Sequence, residues 1–246
     1  MDRLNEQQWA QIYNEKKAKM VFSDILKGKL SAQTEEMIKI VKKEKVNYLC
    51  EIGCGSGQTV VVLALHGINV VAVDYQEESL RMVKQIAEYA GSEVIKRIET
   101  VCCDAQEGLP FSVDQFDIIY HAGLLEHYSY VERVKMLNLW KNYCAKMVSM
   151  VPNGASVAYR YGKEKMINNG TWPYGIENII YTQIMDFIEA GLIVDEEYTI
   201  GVLNSMNFLD KKNYLKKAMT KLWNENFLHD DCHQGYLLVT RGRKKE

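Results

Sequence analysis

The stretch that decides the fold is YLCEIGCGSGQTV, residues Tyr48–Val60. Its apolar first half ends in an acid, Glu51, and glycine then recurs at alternate positions: Gly53, Gly55 and Gly57. A glycine turn between a strand and a helix lets the backbone approach a ligand closely, because no Cβ intervenes. The stretch therefore predicts a ligand-binding turn in an α/β protein.

The spacing of these glycines distinguishes between classes of ligand. The dinucleotide fingerprint GxGxxG requires a third glycine where this chain has Gln58, and the Walker spacing GxxxxGK[ST] is absent. Glu51 would repel a pyrophosphate, but it suits a ligand with a positive amine or sulfonium. The pattern disfavours a phosphate-bearing ligand. An NAD-linked oxidoreductase stays an alternative, which preferential binding of NAD would support.

Two further acids follow the next two predicted strands. Asp74 ends NVVAVDY, about twenty residues after the first glycine, where a carboxylate can accept hydrogen bonds from ribose hydroxyls. Asp104 follows the third strand in CCDAQ, where it can accept a bond from an adenine amino group. Either acid alone could simply cap the next helix. Three acids at three successive strand ends favour a nucleoside ligand.

The rest of the chain alternates short apolar runs with amphipathic helical patterns, as in a mostly parallel sheet covered on both faces. We expect one domain over residues 1–246, with residues 1–44 as an N-terminal helical cap. Two segments, 155–176 and 204–232, interrupt the alternation. Insertions after strand ends are where open α/β sheets place ligand-contacting elements, so both are expected near a substrate, with plain packing as the alternative.

The composition excludes several classes of protein. A net charge of −2 gives no electrostatic reason to expect a nucleic-acid groove, and no apolar run is long enough to cross a bilayer. Six cysteines without a CxxC pair suggest neither a disulfide framework nor a zinc site. The N-terminus MDRLNEQQWAQIY lacks a signal-peptide pattern. We expect a cytoplasmic protein without nucleic-acid or membrane partners, and the oligomeric state stays open.

The ordered elements YLCEIGCGSG, VVAVDY, VCCDAQEGLPF, FDIIYHAGLLEHY and VSMVPNG resemble the class I S-adenosylmethionine-dependent methyltransferases. The resemblance covers residues 45–200 and the final strand, GYLLVTRG. It implies a Rossmann-like α/β fold: a seven-stranded, mostly parallel sheet with the last strand antiparallel and helices on both faces. It also implies S-adenosyl-L-methionine as cofactor and S-adenosyl-L-homocysteine as product.

The resemblance also implies which residues contact the cofactor. The turn Gly53–Gly57, including Cys54 and Gly55, would lie along the methionine part, with Glu51 near its amino group. The other implied contacts are Asp74 with the ribose, Tyr75, Asp104 and Ala105 with the adenine, the backbone of His121 near the methionine amine and reactive methyl, and Tyr13 as a cover from the N-terminal helix. For Tyr13, a core contact on an amphipathic helix is the alternative.

The acceptor side is less well defined. His127, in LLEHY, is the candidate general base because histidine titrates near neutral pH, although it could instead mark a helix start. Tyr128, Tyr159 and Trp172 are the candidate substrate-binding residues. Relatives that bind a metal here carry Glu-x-x-Glu-His, and Gly123 replaces the first Glu, so no metal is expected.

The resemblance implies methyl transfer by in-line displacement, and we expect a small-molecule acceptor. Relatives that methylate base amino groups carry an Asn/Asp-Pro-Pro-aromatic stretch after the fourth strand, where this chain reads YHAGLLEH. Methylation of a protein or an RNA is the nearest alternative. A cofactor-binding module without turnover is the alternative from a different class.

Overall fold

The computed structural model describes Gln8 and residues 15–245, so the predicted cover residue Tyr13 lies outside the described residues. The strands are β1 Tyr48–Ile52, β2 Asn69–Asp74, β3 Ile98–Cys102, β4 Phe116–Ala122, β5 Cys144–Pro152, β6 Leu192–Ile200 and β7 Leu237–Lys244. The α-helices are α1 Glu15–Leu26, α2 Ala32–Glu44, α3 Gln58–Leu65, α4 Glu77–Ala90, α5 Ser92–Ile95, α6 Tyr130–Trp140, α7 Val157–Asn168, α8 Ile184–Glu189, α9 Val202–Ser205 and α10 Tyr214–Asn224.

The described strands form one seven-stranded sheet in the order β3-β2-β1-β4-β5-β7-β6. Strands β1 to β5 pair in parallel, while β7 runs antiparallel to both β5 and β6. The predicted architecture is confirmed, including the antiparallel last strand inserted beside β5.

Apolar clusters cover both faces of the sheet. Because successive strand residues point to opposite faces, Leu49 packs into one cluster and Cys50 into the other. Helices α2, α3 and α4 supply the first cluster, and α6 and α8 supply the second, where Trp140 and Phe187 are fully buried. Burial of each such large side chain contributes about 1.5–3 kcal/mol to the stability of the folded state. This packing holds the strand ends in fixed register.

The order of the strands creates a crevice at one edge of the sheet. The chain moves outward from β1 to β3 and then returns to place β4 on the other side of β1. At such a reversal the carboxyl ends of the two central strands border a crevice, where open α/β sheets bind ligands. Gly53 follows β1 and lies next to Leu124, a residue of the turn after β4. A Cβ built on Gly53 would lie 3.3 Å from Leu124 Cδ2.

Gly57 begins α3 with a φ of +70°, and a Cβ built on it would lie 2.6 Å from Val83 Cγ2. We expect Gly57→Ala to lower the free energy of unfolding by about 2–4 kcal/mol, because left-handed strain and overpacking against α4 add together. Denaturant unfolding measures the loss.

Gly67 provides the matched control, since it has a φ of +87° and open space around its Cβ position. Gly67→Ala should therefore lower the free energy of unfolding only by the cost of backbone strain, about 1–2 kcal/mol. Adding Val83→Ala to Gly57→Ala should restore part of the loss. Equal destabilisation by the two glycine substitutions would show that contact with Val83 is not the cause.

The start of α6 is fixed by a capping box. The Ser129 hydroxyl accepts a bond from the Glu132 amide at 3.4 Å, and the Glu132 carboxylate accepts the Ser129 amide at 2.7 Å. Such a box satisfies amides that the first turn of a helix leaves unpaired. It also fixes the end of the short turn Leu125–His127, which precedes it by one residue.

The two segments that interrupt the alternation behave differently. The segment 155–176 contains α7 and reaches the crevice through Tyr174. The segment 204–232 contains α10 and packs Met206, Leu209 and Met219 against Ala158 of α7. None of its described residues lines the crevice. The expectation that 204–232 lies at the substrate is therefore not supported, because its apolar face is used to hold α7.

Across the described part of the chain, no helix combines the length and the apolar character that a membrane span needs. No disulfide bond joins any of the six cysteines, all of which lie within the described residues.

Candidate functional site

A cavity of about 350 Å³ occupies the crevice. The strand ends contribute residues 51–56, 73–76, 103–106, 122–124 and 126–128 to its wall. These are the turns that follow β1, β2, β3 and β4. The sequence motifs that were predicted separately therefore meet in one place.

The glycine turn is held by hydrogen bonds to the neighbouring strand. The amides of Gly53 and Cys54 both donate to the Val73 carbonyl, at 2.8 and 3.2 Å. The amide of Gly55 donates to Asp74 Oδ2 at 3.1 Å. The carboxylate that was predicted to contact a ligand thus also shapes the turn.

Asp74 keeps capacity for further hydrogen bonds. Its Oδ1 accepts the Gln76 amide at 2.9 Å, and the side chain is buried against the cavity wall. Burial raises the pKa of this carboxyl, while the bonds from Gln76 and Gly55 oppose the shift. Oδ2 also accepts the Cys54 thiol, with Sγ 3.9 Å away. A carboxylate has about four lone-pair positions, so Oδ1 can still accept a second donor. The neighbouring Tyr75 is exposed and lines the same wall.

Gln58, which breaks the dinucleotide fingerprint, connects the turn to the N-terminal helices. Its Oε1 accepts the Ser31 amide at 2.9 Å and the Thr34 hydroxyl at 3.3 Å. Its Nε2 donates to the Lys29 carbonyl at 3.4 Å. A glycine could not make these bonds. Gln33 of α2, which sequence reasoning missed, lines the cavity as a result of this attachment.

Buried polar atoms show that the cavity is built for a polar ligand. Glu51 is 5% exposed, and its Oε2 has no hydrogen-bond partner among residues 15–245. Burial raises the pKa of Glu51 to about 8. Both amide atoms of Gln76 are likewise unpaired within that range. Because buried polar groups are normally satisfied, these two side chains fit a polar ligand, with a donor, including a positive one, near Glu51 and both a donor and an acceptor near Gln76.

The third strand end contributes an exposed carboxylate. Asp104 lines the cavity and accepts the Gln106 amide at 2.9 Å, so it caps its own turn while facing the ligand space. The Ala105 carbonyl accepts the Trp140 indole N–H at 2.8 Å, which anchors this turn to α6. The bond fixes the backbone against which a planar ligand would lie.

Two residues of the predicted cofactor contacts do not line the cavity. The cavity wall after β4 begins at Ala122, one residue past His121, whose backbone was the predicted contact. The buried side chain of His121 bonds Ser149 Oγ through Nε2 at 2.7 Å. Burial lowers the pKa of His121 to about 3, so it stays neutral. Gly57 also does not line the cavity, because α3 begins there and the residue packs against Val83.

The candidate base His127 lines the cavity beside Glu126. Its Nδ1 lies 2.7 Å from the Ile176 carbonyl, which can only accept, so we assign the ring proton to Nδ1. Its Nε2 lies 3.9 Å from Glu126 Oε1. Asn178 secures the same turn by donating its backbone and side-chain N–H groups to the Glu126 carbonyl, at 2.7 and 3.0 Å.

Glu177 is a cavity residue that sequence reasoning missed. It accepts bonds from Lys163 Nζ at 2.6 Å and from the Tyr159 hydroxyl. One ligand atom each from Glu126, His127 and Glu177 lie within 4.8 Å of one another, close enough to hold a cation. About fifty residues separate Glu177 from the other two, and only its place at the end of the aromatic segment YRYGKEKMINNGTWPYGIE could have indicated it.

Two of the three predicted substrate-binding residues do not line the cavity. Tyr128 does, but Tyr159 and Trp172 lie behind the wall. Tyr159 packs on Tyr236 with ring centroids 5.3 Å apart, and Trp172 packs on Tyr174 at the same distance. Tyr236 and Tyr174 form the wall instead, because the indole of Trp172 turns back to donate to the chain at Gly175.

Residues 49–146 match the model of a family described as a methyltransferase domain. The matched span runs from β1 into β5, so it contains the glycine turn, all three strand-end acids and the turn Leu125–His127. No curated protein matches the chain.

Solved structures share the fold at low sequence identity. The magnesium protoporphyrin IX methyltransferase of Synechocystis PCC 6803 with bound SAH has a TM-score of 0.59 and 12% identity, over 97% of this chain and 93% of that one. The geranyl diphosphate C-methyltransferase of Streptomyces coelicolor A3(2) has a TM-score of 0.54 and 10% identity, over 81% and 73%. A mitomycin 7-O-methyltransferase has a TM-score of 0.56 and 11% identity, over 82% and 50%.

Proposed function

We propose that the chain is a class I S-adenosylmethionine-dependent methyltransferase that methylates a small-molecule acceptor by in-line displacement, since residues 49–146 match a methyltransferase domain. The observation that carries the proposal is one cavity that extends from Asp104 past the glycine turn to Glu177. Such a cavity suits an acceptor that enters whole, whereas an RNA or a protein would need an extended surface. The similar structures named above act on a porphyrin, geranyl diphosphate and mitomycin, which supports the same class of acceptor.

The residues of the cavity wall suggest how the cofactor would be held. The Glu51 carboxylate would face its ammonium group, Asp74 the ribose hydroxyls, and Asp104 with Tyr75 the adenine. When bound, the cofactor supplies a methyl group on a positively charged sulfur, already activated for displacement. The protein's task is then to orient the acceptor and to exclude water.

His127 is the proposed base. The bond from Nδ1 to the Ile176 carbonyl holds the tautomer whose Nε2 can accept a proton. The imidazole lines the cavity on the same turn as Glu126, and residues 176–178 hold that turn from behind. A proton released by the acceptor would therefore be received within the enclosed part of the site.

Binding of the cofactor should release a proton near pH 7. Glu51 has a pKa of about 8 in the free protein, so it is mostly protonated, and an ammonium group beside it favours the carboxylate. Calorimetric enthalpies of S-adenosylhomocysteine binding should therefore differ between phosphate and Tris buffers of equal pH. The difference should disappear in Glu51→Gln, and its persistence there would assign the proton to another group.

The same pKa predicts a stability effect of defined sign. The folded pKa of Glu51 lies above its ordinary value of 4.5, so the contribution of this group to stability is present below pH 4.5 and is lost as the pH rises towards 8. Glu51→Gln should therefore melt at a higher temperature than the wild type at pH 8. The two proteins should converge at pH 4.5.

The function is tested by incubating the protein with S-adenosylmethionine and a library of small acceptors. Mass spectrometry would measure both S-adenosylhomocysteine and the methylated acceptor. Parallel reactions with cell RNA and with mixed peptides test the alternatives. Methylation of a small molecule, abolished by Gly55→Arg, is the expected result. Methylation of RNA or peptides alone, or binding without turnover of any class, would contradict the proposal.

A further inference from the structure

Resting on the proposed function, we propose that the acceptor carries an ammonium group, that Glu126 and Glu177 bind it, and that its nitrogen is the atom methylated. The cavity contains a buried carboxyl oxygen that the described residues leave without a hydrogen bond. Glu126 is 2% exposed and lines the cavity, and its Oε2 has no hydrogen-bond partner within residues 15–245. A buried carboxylate without a partner destabilises the protein unless a ligand supplies the donor.

A second carboxylate converges on the same point. Glu177 lines the cavity, and one of its oxygens lies within 4.8 Å of ligand atoms of Glu126 and His127. Burial first, and then the charge of Glu177, raise the pKa of the Glu126 carboxyl well above its usual range. In the free protein a proton on Glu126 therefore relieves the repulsion, and an added positive group would let Glu126 ionise. An ammonium has three donors, enough to bond both.

The local charges favour a monovalent cation over a divalent metal. Lys163 pairs with Glu177 at 2.6 Å, so one of the two negative charges is already balanced. The remaining charge, on ionised Glu126, matches one ammonium group. A divalent ion would leave an excess of positive charge and would be repelled by Lys163.

Aromatic rings complete the environment of a bound ammonium. Tyr174 and Tyr236 line the cavity, and cations are attracted to the faces of such rings. Tyr159 connects the acidic and aromatic parts, because its hydroxyl donates to Glu177 while its ring packs on Tyr236. The Trp172 ring supports Tyr174 from behind. Acids and rings together are the recognition elements of an amine.

The reaction balances without a further reagent. The acceptor enters as R–NH₃⁺ and gives one proton to His127 Nε2, which leaves R–NH₂ with a free electron pair. That pair forms the new N–C bond while the C–S bond breaks and its electrons stay on sulfur. The products are R–NH₂⁺–CH₃ and the neutral thioether, and the proton on His127 passes to solvent.

The test uses acceptors in matched sets that share a carbon skeleton, such as phenethylamine, 2-phenylethanol and phenylacetate. The amine members should be methylated on nitrogen with kcat/KM about 100-fold above the others, because only they pair the buried acids.

Glu126→Gln should raise KM for the best amine about 100-fold and weaken its calorimetric binding to the S-adenosylhomocysteine complex equally. Binding of S-adenosylhomocysteine itself should stay unchanged. Glu164→Gln, exposed on α7, is the matched control.

Different results would contradict the amine inference and the proposed function. Methylation of alcohols or acids in preference to amines would overturn this inference and leave the proposed function intact. Turnover lost in EDTA and restored by Mg²⁺, without a preference for amines, would assign the acids to a metal instead. No methylation in any set, with S-adenosylhomocysteine still bound, would contradict the proposed function itself. Glu126→Gln is the deciding variant, because the Glu126 side chain makes no ion pair with Lys163, whereas Glu177→Gln would also remove the partner of Lys163.

Discussion

Replacing Gly55 by arginine should weaken binding of S-adenosylhomocysteine by at least about 1,000-fold, or about 4 kcal/mol. Gly55 lines the cavity with a φ of +48°, and its amide donates to Asp74. An arginine side chain there would fill part of a cavity of about 350 Å³. It would also bring a positive charge close to the position beside Glu51 that the cofactor's ammonium group is expected to occupy. Calorimetric titration measures the loss.

The control for this prediction is Gly67→Arg. Gly67 has a φ of +87°, nothing within 4 Å of its Cβ position, and no place in the cavity wall. It should therefore suffer similar backbone strain, about 1–2 kcal/mol, and bind S-adenosylhomocysteine within about twofold of the wild type. If Gly55→Arg bound as well as this control, the glycine turn would not hold the cofactor.

The second large effect is on stability. Arg133 of α6 pairs with Asp186 of α8 through two bonds, at 2.6 and 3.4 Å, and both side chains are less than 10% exposed. Its third bond, 3.2 Å to the Tyr128 carbonyl, holds a residue of the cavity wall. Arg133→Met should lower the free energy of unfolding by about 3–5 kcal/mol, because Asp186 is left as an uncompensated buried charge.

Two variants test that explanation. Lys135→Met removes an exposed cation from the same helix and should change stability by less than about 0.5 kcal/mol. Arg133→Met combined with Asp186→Leu should recover most of the loss, since a well-packed apolar pair often replaces a buried ion pair without cost. Denaturant unfolding measures both. A double variant as unstable as Arg133→Met alone would show that packing, and not the unpaired charge, determines the effect.

The fold was predictable because its signals are local. Each strand is a short apolar run that ends at glycine or an acid, and the order of these runs with their connecting helices suffices to predict a mostly parallel sheet. The turn after β1 was predictable for the same reason, since Glu51 and its three glycines lie within seven residues. The antiparallel position of β7 came only from the family resemblance.

The acceptor half was not predictable to the same extent, because it depends on contacts between distant segments. Glu177 reaches Glu126 only because α7 and the chain after it fold back over the turn following β4. Trp172, predicted to contact the substrate, lies behind the cavity wall for a related reason. Sequence position indicates which turn a residue belongs to, but the direction of its side chain depends on strand alternation and on packing partners.

A crystal structure of the protein with S-adenosylhomocysteine would test these assignments most directly. We expect the ligand to lie along the glycine turn, with its amine at Glu51, its ribose at Asp74 and its adenine at Asp104. The space between Glu126 and Glu177 should stay open for the acceptor. A ligand bound between those two acids, or outside the cavity, would contradict the division of the cavity into a cofactor half and an acceptor half.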